Sequence, residues 1–220
     1  MKALLLLAVS SAALAQAPPP APGRDSVRVA VHSGSDTEEM HQLLSVLRVE
    51  KLHIKASSPQ AAGKRFHLTY QEYRQGVPGP EKELVGDAAR LTSFDPSGQF
   101  RLDVFARPVT ETQVEAQFRF ANGRNVRSFR VLPGRGDQYS MRTDIWPYRP
   151  RPGVVAPGQQ PTQERNFPIG QKIPFLVYTL PYEQKGWLLY CQLAQSKVPV
   201  SEWFAKFQIP HFIVYNLTIE

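Results

Sequence analysis

The chain has 220 residues, 42% of them hydrophobic and 20% charged, which is too apolar for disorder throughout and long enough for one large domain or two small ones. Twenty-six Lys and Arg against 19 Asp and Glu give a formal charge of +7, and a mean hydropathy of -0.33 excludes a multi-span membrane protein.

The first fifteen residues carry the most specific signal. Lys2 precedes an apolar run from Ala3 to Val9, and Ala13-Leu14-Ala15 supplies a small-x-small end. Together they predict a secretory signal peptide over 1–15, too short to span a bilayer. Cleavage after Ala15 leaves 205 residues beginning at Gln16 and lowers the formal charge to +6. Residues 16–25, with Pro18, Pro19, Pro20 and Pro22, read as an extended tail. Cys191 is the only cysteine, so an internal disulfide is impossible. An export signal without a disulfide points to a bacterial periplasm or exterior. There, the glycosylation sequon at Asn216-Leu217-Thr218 carries no meaning.

Residues 26–220 read as a single β-rich domain. Val27, Val29 and Val31 alternate with polar or small residues, a short strand. Ser35 and Asp36 stand three residues before Glu38 and Glu39, the spacing of a capping box. Met40, Leu43, Leu44 and Leu47 follow at helical intervals and predict an amphipathic helix of about three turns. The period then changes to two over 51–56 and again at Phe66, Leu68 and Tyr70. The stretch from Gln75 to Pro80 breaks that second strand. Asp95-Pro96-Ser97-Gly98 is a turn that launches Phe100, Leu102, Val104 and Ala106.

A hairpin comes next. Val114, Ala116, Phe118 and Phe120 alternate with polar residues, and Asn122-Gly123 is a preferred type I′ loop. That loop pairs Val114 with Val131, Ala116 with Phe129, and Glu115 with Arg130. Tyr139 to Trp146 alternates again. Five prolines between 147 and 161 forbid a helix or central strand, so 147–163 reads as a strap crossing the domain. Ile173 to Leu180 and Trp187 to Leu193 are strands, Ser201 opens a short helix, and Phe212 to Ile219 is a last strand apolar on both faces. About eight or nine strands, one amphipathic helix near the N-terminus and one short helix near the C-terminus predict a mainly β fold. Its expected form is an antiparallel β-sandwich or open barrel.

Arginine clusters in the middle of the chain. Eight arginines and no lysine lie from Arg119 to Arg151, against Asp137 and Asp144. A guanidinium fork suits phosphates and carboxylates. In an exported protein the anions within reach are acidic polysaccharide, lipid A phosphates or an acidic face of an envelope protein, whereas nucleic acid is met only outside the cell. Trp146, Tyr148 and Tyr139 lie in the same region, and aromatic rings beside arginines can stack on sugars. The expected ligand-binding set is therefore Arg119, Arg130, Arg142, Trp146, Tyr148, Arg149 and Arg151. Against it stand plainer roles: a solvated, edge-protecting strand face for the arginines and a strand-end core position for Trp146. Trp187 and Trp203 read as core residues.

No enzyme motif is present, and no cofactor or resident metal is expected. Cys191 and His211 lack the surroundings of a nucleophile and its base, and Cys191 shares the parity of Trp187, Leu189 and Leu193. No two histidines stand at helical ligand spacing, and only His32, Asp36 and His41 lie close in sequence. The leading expectation is an exported, non-enzymatic binding or assembly protein of the envelope. One alternative is a secreted hydrolase of envelope polymers using acids among Asp36, Glu72, Asp103 and Asp144. The other is a structural subunit that donates Phe212–Ile219 to another sheet, although so apolar a strand fits better at the centre of its own sheet.

Overall fold

A computed structural model describes residues 26–86, 92–143, 149–150, 163–190 and 198–220, with 149, 150 and 163 described by backbone alone. The expected signal peptide and tail, most of the strap, and Asp144, Trp146, Tyr148, Arg151 and Cys191 lie outside these residues.

The described chain is mainly β. The strands are β1 (Ser26–Ser33), β2 (Glu50–Ser57), β3 (Phe66–Arg74), β4 (Val77–Pro78), β5 (Lys82–Glu83), β6 (Gln99–Thr110), β7 (Gln113–Phe120), β8 (Gly123–Arg130), β9 (Ser140–Arg142), β10 (Arg149–Pro150), β11 (Gln163–Pro168), β12 (Ile173–Thr179), β13 (Tyr182–Gln184), β14 (Trp187–Leu189) and β15 (His211–Ile219). Two short helices join them, α1 (Glu38–Val46) and α2 (Trp203–Phe207). A seven-stranded sheet runs β10-β11-β1-β2-β6-β7-β8. A second runs β4-β3-β15-β12-β9, with β5 also on β3, and β13-β14 stands apart as a pair. Neither large sheet closes into a barrel, because each ends in two different edge strands.

The two sheets meet through aromatic side chains. Phe66 of β3 packs on Phe100 of β6 at 4.1 Å between ring centres, and Tyr215 of β15 on Phe118 of β7 at 4.9 Å. Phe167 of β11 meets Phe175 of β12 edge-on. Strict alternation in β1, β2, β6 and β7 sends Val29, Ile54, Leu102, Val104 and Ala116 into this layer and every second residue out to water. β15 is different. It pairs with β3 on one side and β12 on the other, and eight of its nine residues are buried. Phe212 turns to the sheet's far side, where it stacks on Tyr73 and meets Trp203 of α2. Both edges of β15 are thus hydrogen-bonded within this chain, so Phe212–Ile219 has no edge to donate.

The β7–β8 hairpin differs from its expected register. Its loop is Ala121-Asn122, so Phe120 faces Gly123 and Val114 faces Phe129. Neither loop residue has the left-handed backbone of a type I′ turn. A slip of two residues keeps every side chain on its face, so the hydrophobic pattern alone does not forbid it. Phe129 settles the position by packing edge-on against Tyr70. Glu115 consequently faces Ser128, not Arg130, and pairs with Arg107 of β6 at 3.3 Å.

Two other expectations change. The cap of α1 is Thr37, without a side-chain hydrogen bond, so neither Ser35 nor Asp36 caps the helix. Met40, Leu43, Val46 and Leu47 face solvent. Trp203 is buried, but Trp187 is 73% exposed. Lys185 and Gly186 both adopt positive φ, the type I′ geometry, and fold 182–189 into a hairpin. Tyr182 anchors its base in the core and Trp187 sits beyond it at the tip.

Candidate functional site

The open outer face of the seven-stranded sheet gathers the chain's charges. On β2, Lys51, His53 and Lys55 share this face. Register places Lys55 opposite Arg101 and His53 opposite Asp103 on β6. Asp103 in turn faces Arg119 on β7, and Arg119 faces Arg124 on β8. One row therefore crosses five strands: His32, His53, Asp103, Arg119 and Arg124. Lys51, Lys55, Arg101, Arg119 and Arg124 form no salt bridge among the described residues, whereas Arg28 is committed to Glu164 and Arg107 to Glu115. Lys55–Arg101 and Arg119–Arg124 are like charges placed directly across neighbouring strands, an arrangement that costs stability. Phe105, between Lys51 and Gln117 on the same face, adds a partly exposed ring.

At the β1 end of this row lies a cleft of about 480 Å³ lined by His32, Gly34, Asp36, Lys51, His53, Lys55 and Asp103 among others. His53 Nδ1 donates to Asp103 Oδ1 at 2.6 Å, and Nε2 has no hydrogen-bond partner among the described residues. His32 Nε2 lies 3.4 Å from Asp36 Oδ1 but outside hydrogen-bond geometry, and this nitrogen is buried and unsatisfied. Gly34 donates its backbone N–H to the Lys51 carbonyl, and its missing side chain leaves room for the His41 ring above it. His32, Asp36 and His41 do not assemble a three-ligand metal group among the described residues.

A second polar cluster is buried between the sheets. His211, fully buried, bonds through Nδ1 to the Tyr139 hydroxyl at 2.5 Å and through Nε2 to Glu72 Oε1 at 2.8 Å. Burial pushes the Tyr139 phenol up, so it keeps its proton and donates to Nδ1. The His211 hydrogen bond foremost, with help from the Arg74 charge, holds the Glu72 carboxyl below its ordinary value although burial opposes it. Arg74 also donates to the Arg130 carbonyl at 2.6 Å, tying β3 to β8 across the two sheets. Glu50 makes a similar tie from β2 to β9, accepting from Ser140 Oγ and the Met141 N–H. Burial outweighs those bonds and raises its carboxyl. The Tyr139–His211–Glu72 chain fastens the fold, with His211 bonded through both ring nitrogens and Glu72 a third exposed.

The arginines expected to act together are dispersed. Arg119 and Arg130 share the outer face, but Arg130 faces Gln113 at the other end of the hairpin, about 20 Å along the strand from Arg124. Arg127 turns inward, donating to the Leu84 carbonyl and lying over the Tyr70 ring. Arg142 belongs to the other sheet, where its guanidinium covers the Tyr190 ring at 4.3 Å. Arg149 lies in β10, of which only the backbone is described. Of the acids weighed for hydrolysis, Asp36 and Asp103 line one cleft and Glu72 does not. Lys51, Lys55, Arg101 and Arg124 were missed because they are scattered over 74 residues of sequence, and only the strand order places them side by side. Comparison of the chain with protein-family models, with curated proteins and with solved structures gives no match.

Proposed function

We propose that the protein is an exported, non-enzymatic β-sandwich module that binds an anionic glycan of the cell envelope through the outer face of its seven-stranded sheet. The observation that carries this reading is the pair of like-charge cross-strand contacts, Lys55–Arg101 and Arg119–Arg124, on one open face. Folding alone gains nothing from them, and a polyanion laid across the strands relieves both. Phe105 offers a ring for a sugar to pack on. The export signal read in residues 1–15 places such a polymer within reach.

The test uses residues 16–220 and a panel of acidic and neutral polysaccharides, lipid A vesicles and an acidic protein, titrated at low and physiological salt. Binding to the acidic polysaccharides that weakens steeply with salt is expected. Lys55→Ala with Arg101→Ala, and Arg119→Ala with Arg124→Ala, should each lower affinity and flatten the salt dependence. Wild-type binding by both double variants would overturn the surface. Preference for lipid A or for the acidic protein would move the ligand class and keep the face.

A second reading draws on Asp36 and Asp103, two carboxylates that line one cleft, as glycoside hydrolysis requires. Product release from the bound polymer that stops in Asp103→Asn would establish it, and binding without turnover removes it.

A further inference from the structure

We infer that one end of the sandwich, built from α1, the β6–β7 turn and the β13–β14 hairpin, is a docking surface for a zwitterionic lipid bilayer. Register brings these elements together. α1 leads into β2, whose first residue, Glu50, faces Ala106 near the end of β6. β12 closes at Thr179, opposite Ser140 of β9 and Phe212 of β15, and the hairpin follows directly. Glu50 accepts a hydrogen bond from Ser140 Oγ, so the two sheets end side by side.

Nine large apolar side chains are exposed among the described residues, and eight of them stand at this end. α1 contributes Met40, Leu43, Val46 and Leu47, and the hairpin tip contributes Trp187 and Leu188. Val77 follows the end of β3, and Val109 lies at the end of β6. Only Val126, in the middle of β8, lies elsewhere. Single exposed apolar residues are ordinary, whereas such a gathering marks a contact surface. No residue of α1 is buried, although Met40, Leu43, Leu44 and Leu47 share one stripe. A helix whose apolar stripe its own fold leaves uncovered has the pattern of an interfacial helix. With nine residues it can lie on a bilayer and is too short to cross one.

The shape and charge of this end select a bilayer over a protein. Residues 183–188 are exposed in unbroken succession, so Trp187 stands on a protruding tip. Leu188 and Arg135 border one hollow, while Leu47, Val109 and Asp137 border another, so residues 134–138 separate the two apolar groups. A protein partner dries a continuous interface core, which two divided groups do not offer. The bilayer interface takes anchors one by one, leaves the charges between them in water and suits an indole ring. Arg48 and Lys185 stand beside the anchors, but so do Glu38, Glu39, Glu111 and Glu183. With no positive excess, this end fits neutral headgroups and not an anionic surface. It is thereby distinct from the basic outer face of the seven-stranded sheet.

The experiment sediments residues 16–220 with phosphatidylcholine vesicles at low and high salt, and repeats this with brominated phosphatidylcholine to quench tryptophan emission. Trp203 is buried in the fold, and Trp146→Phe removes the other indole, so quenching in that background reads Trp187. Partition that salt does not weaken, with Trp187 quenched, is expected. Trp187→Ala with Leu188→Ala, and Leu43→Ser with Leu47→Ser, should each weaken partition about tenfold. The urea midpoint should stay near wild type in both, because all four side chains are about half exposed or more. Absence of partition, or partition unchanged in both double variants, overturns the inference. So does partition that needs phosphatidylglycerol and vanishes at high salt, which assigns the contact to the basic face. A dimer that forms without lipid and is lost in the same variants also overturns it and makes a second copy the occupant.

Discussion

The two large sheets spend their outer faces differently. The seven-stranded sheet is apolar on one side only, and its other side is a field of lysine, arginine, histidine and aspartate open to water. The second sheet is covered on both sides at its centre, where β15 packs Tyr215 inward and Phe212 outward beneath Trp203. The first sheet keeps one face open, and the second is closed over at its centre. A period-two strand pattern therefore marks the sheet with an open face, and an unbroken apolar strand marks the structural spine of this fold.

The contrast yields a graded set of mutational effects. The largest belongs to the spine. Phe212→Ala empties a fully buried site between Tyr73 and Trp203 and should cost about 3–5 kcal/mol in urea denaturation. In the other sheet the sensitive point is a turn and not the face. Gly98 holds a left-handed backbone, and a Cβ there would overlap the Ser58 carbonyl, so Gly98→Ala should cost more than about 1 kcal/mol.

Two carboxylates, Glu72 within the second sheet and Glu50 between the sheets, should respond to pH in opposite directions. Glu72 has its folded value below the ordinary 4.5, so its contribution is complete above that value and is lost as pH falls through the folded one. Glu50 lies above 4.5, so the folded chain holds that proton more tightly than the unfolded chain does. Stability from Glu50 falls as pH rises from 4.5 through its folded value. Denaturation midpoints from pH 3 to 7 should show a shallower acid limb in Glu72→Gln and a shallower decline above pH 4.5 in Glu50→Gln. The Glu72 change should also cost about 1–3 kcal/mol at neutral pH through the weakened bond to His211. The smallest effect belongs to the open charged face. Lys55→Ala with Arg101→Ala should leave stability unchanged or raise it by a few tenths of a kcal/mol at low salt. A loss above about 1 kcal/mol would show that these charges serve the fold.

Much of the architecture was readable from the residues. Alternation fixed which residues of β1, β6 and β7 turn inward, because period two survives any pairing. The apolar composition of 212–219 pointed to a central strand. Pairing itself was less readable. The hairpin's faces followed from the pattern, but its register did not, since a slip of two leaves the pattern intact and only Phe129 against Tyr70 chooses. Trp187 was misplaced because an aromatic at a strand start is usually covered, and the Lys185-Gly186 turn that projects it carries no burial signal. The candidate face was the least readable part. Its members come from β1, β2, β6, β7 and β8, and strand order is a property of the assembled sheets. Reading arginines as a cluster along the chain joined Arg119 to Arg130 and Arg142, when its spatial companions are Arg124, Arg101 and Lys55.

The place of β15 in the chain sets a schedule for folding. β6, β7 and β8 follow one another and can close as a meander as soon as they are made. β3 and β12 must wait for a strand made after every other described strand, with Arg74 paired to His211 and Phe66 to Ile219 across separations of 137 to 153 residues. Closing so long a loop makes assembly of the second sheet slow. Until it closes, two strand edges and a row of aromatic rings stay open to neighbouring molecules. The β1-β2-β6-β7-β8 part of the first sheet can thus be finished while β11, 132 to 142 residues from its partners on β1, and the second sheet are still open, and the yield of folded protein depends on keeping chains apart during that interval.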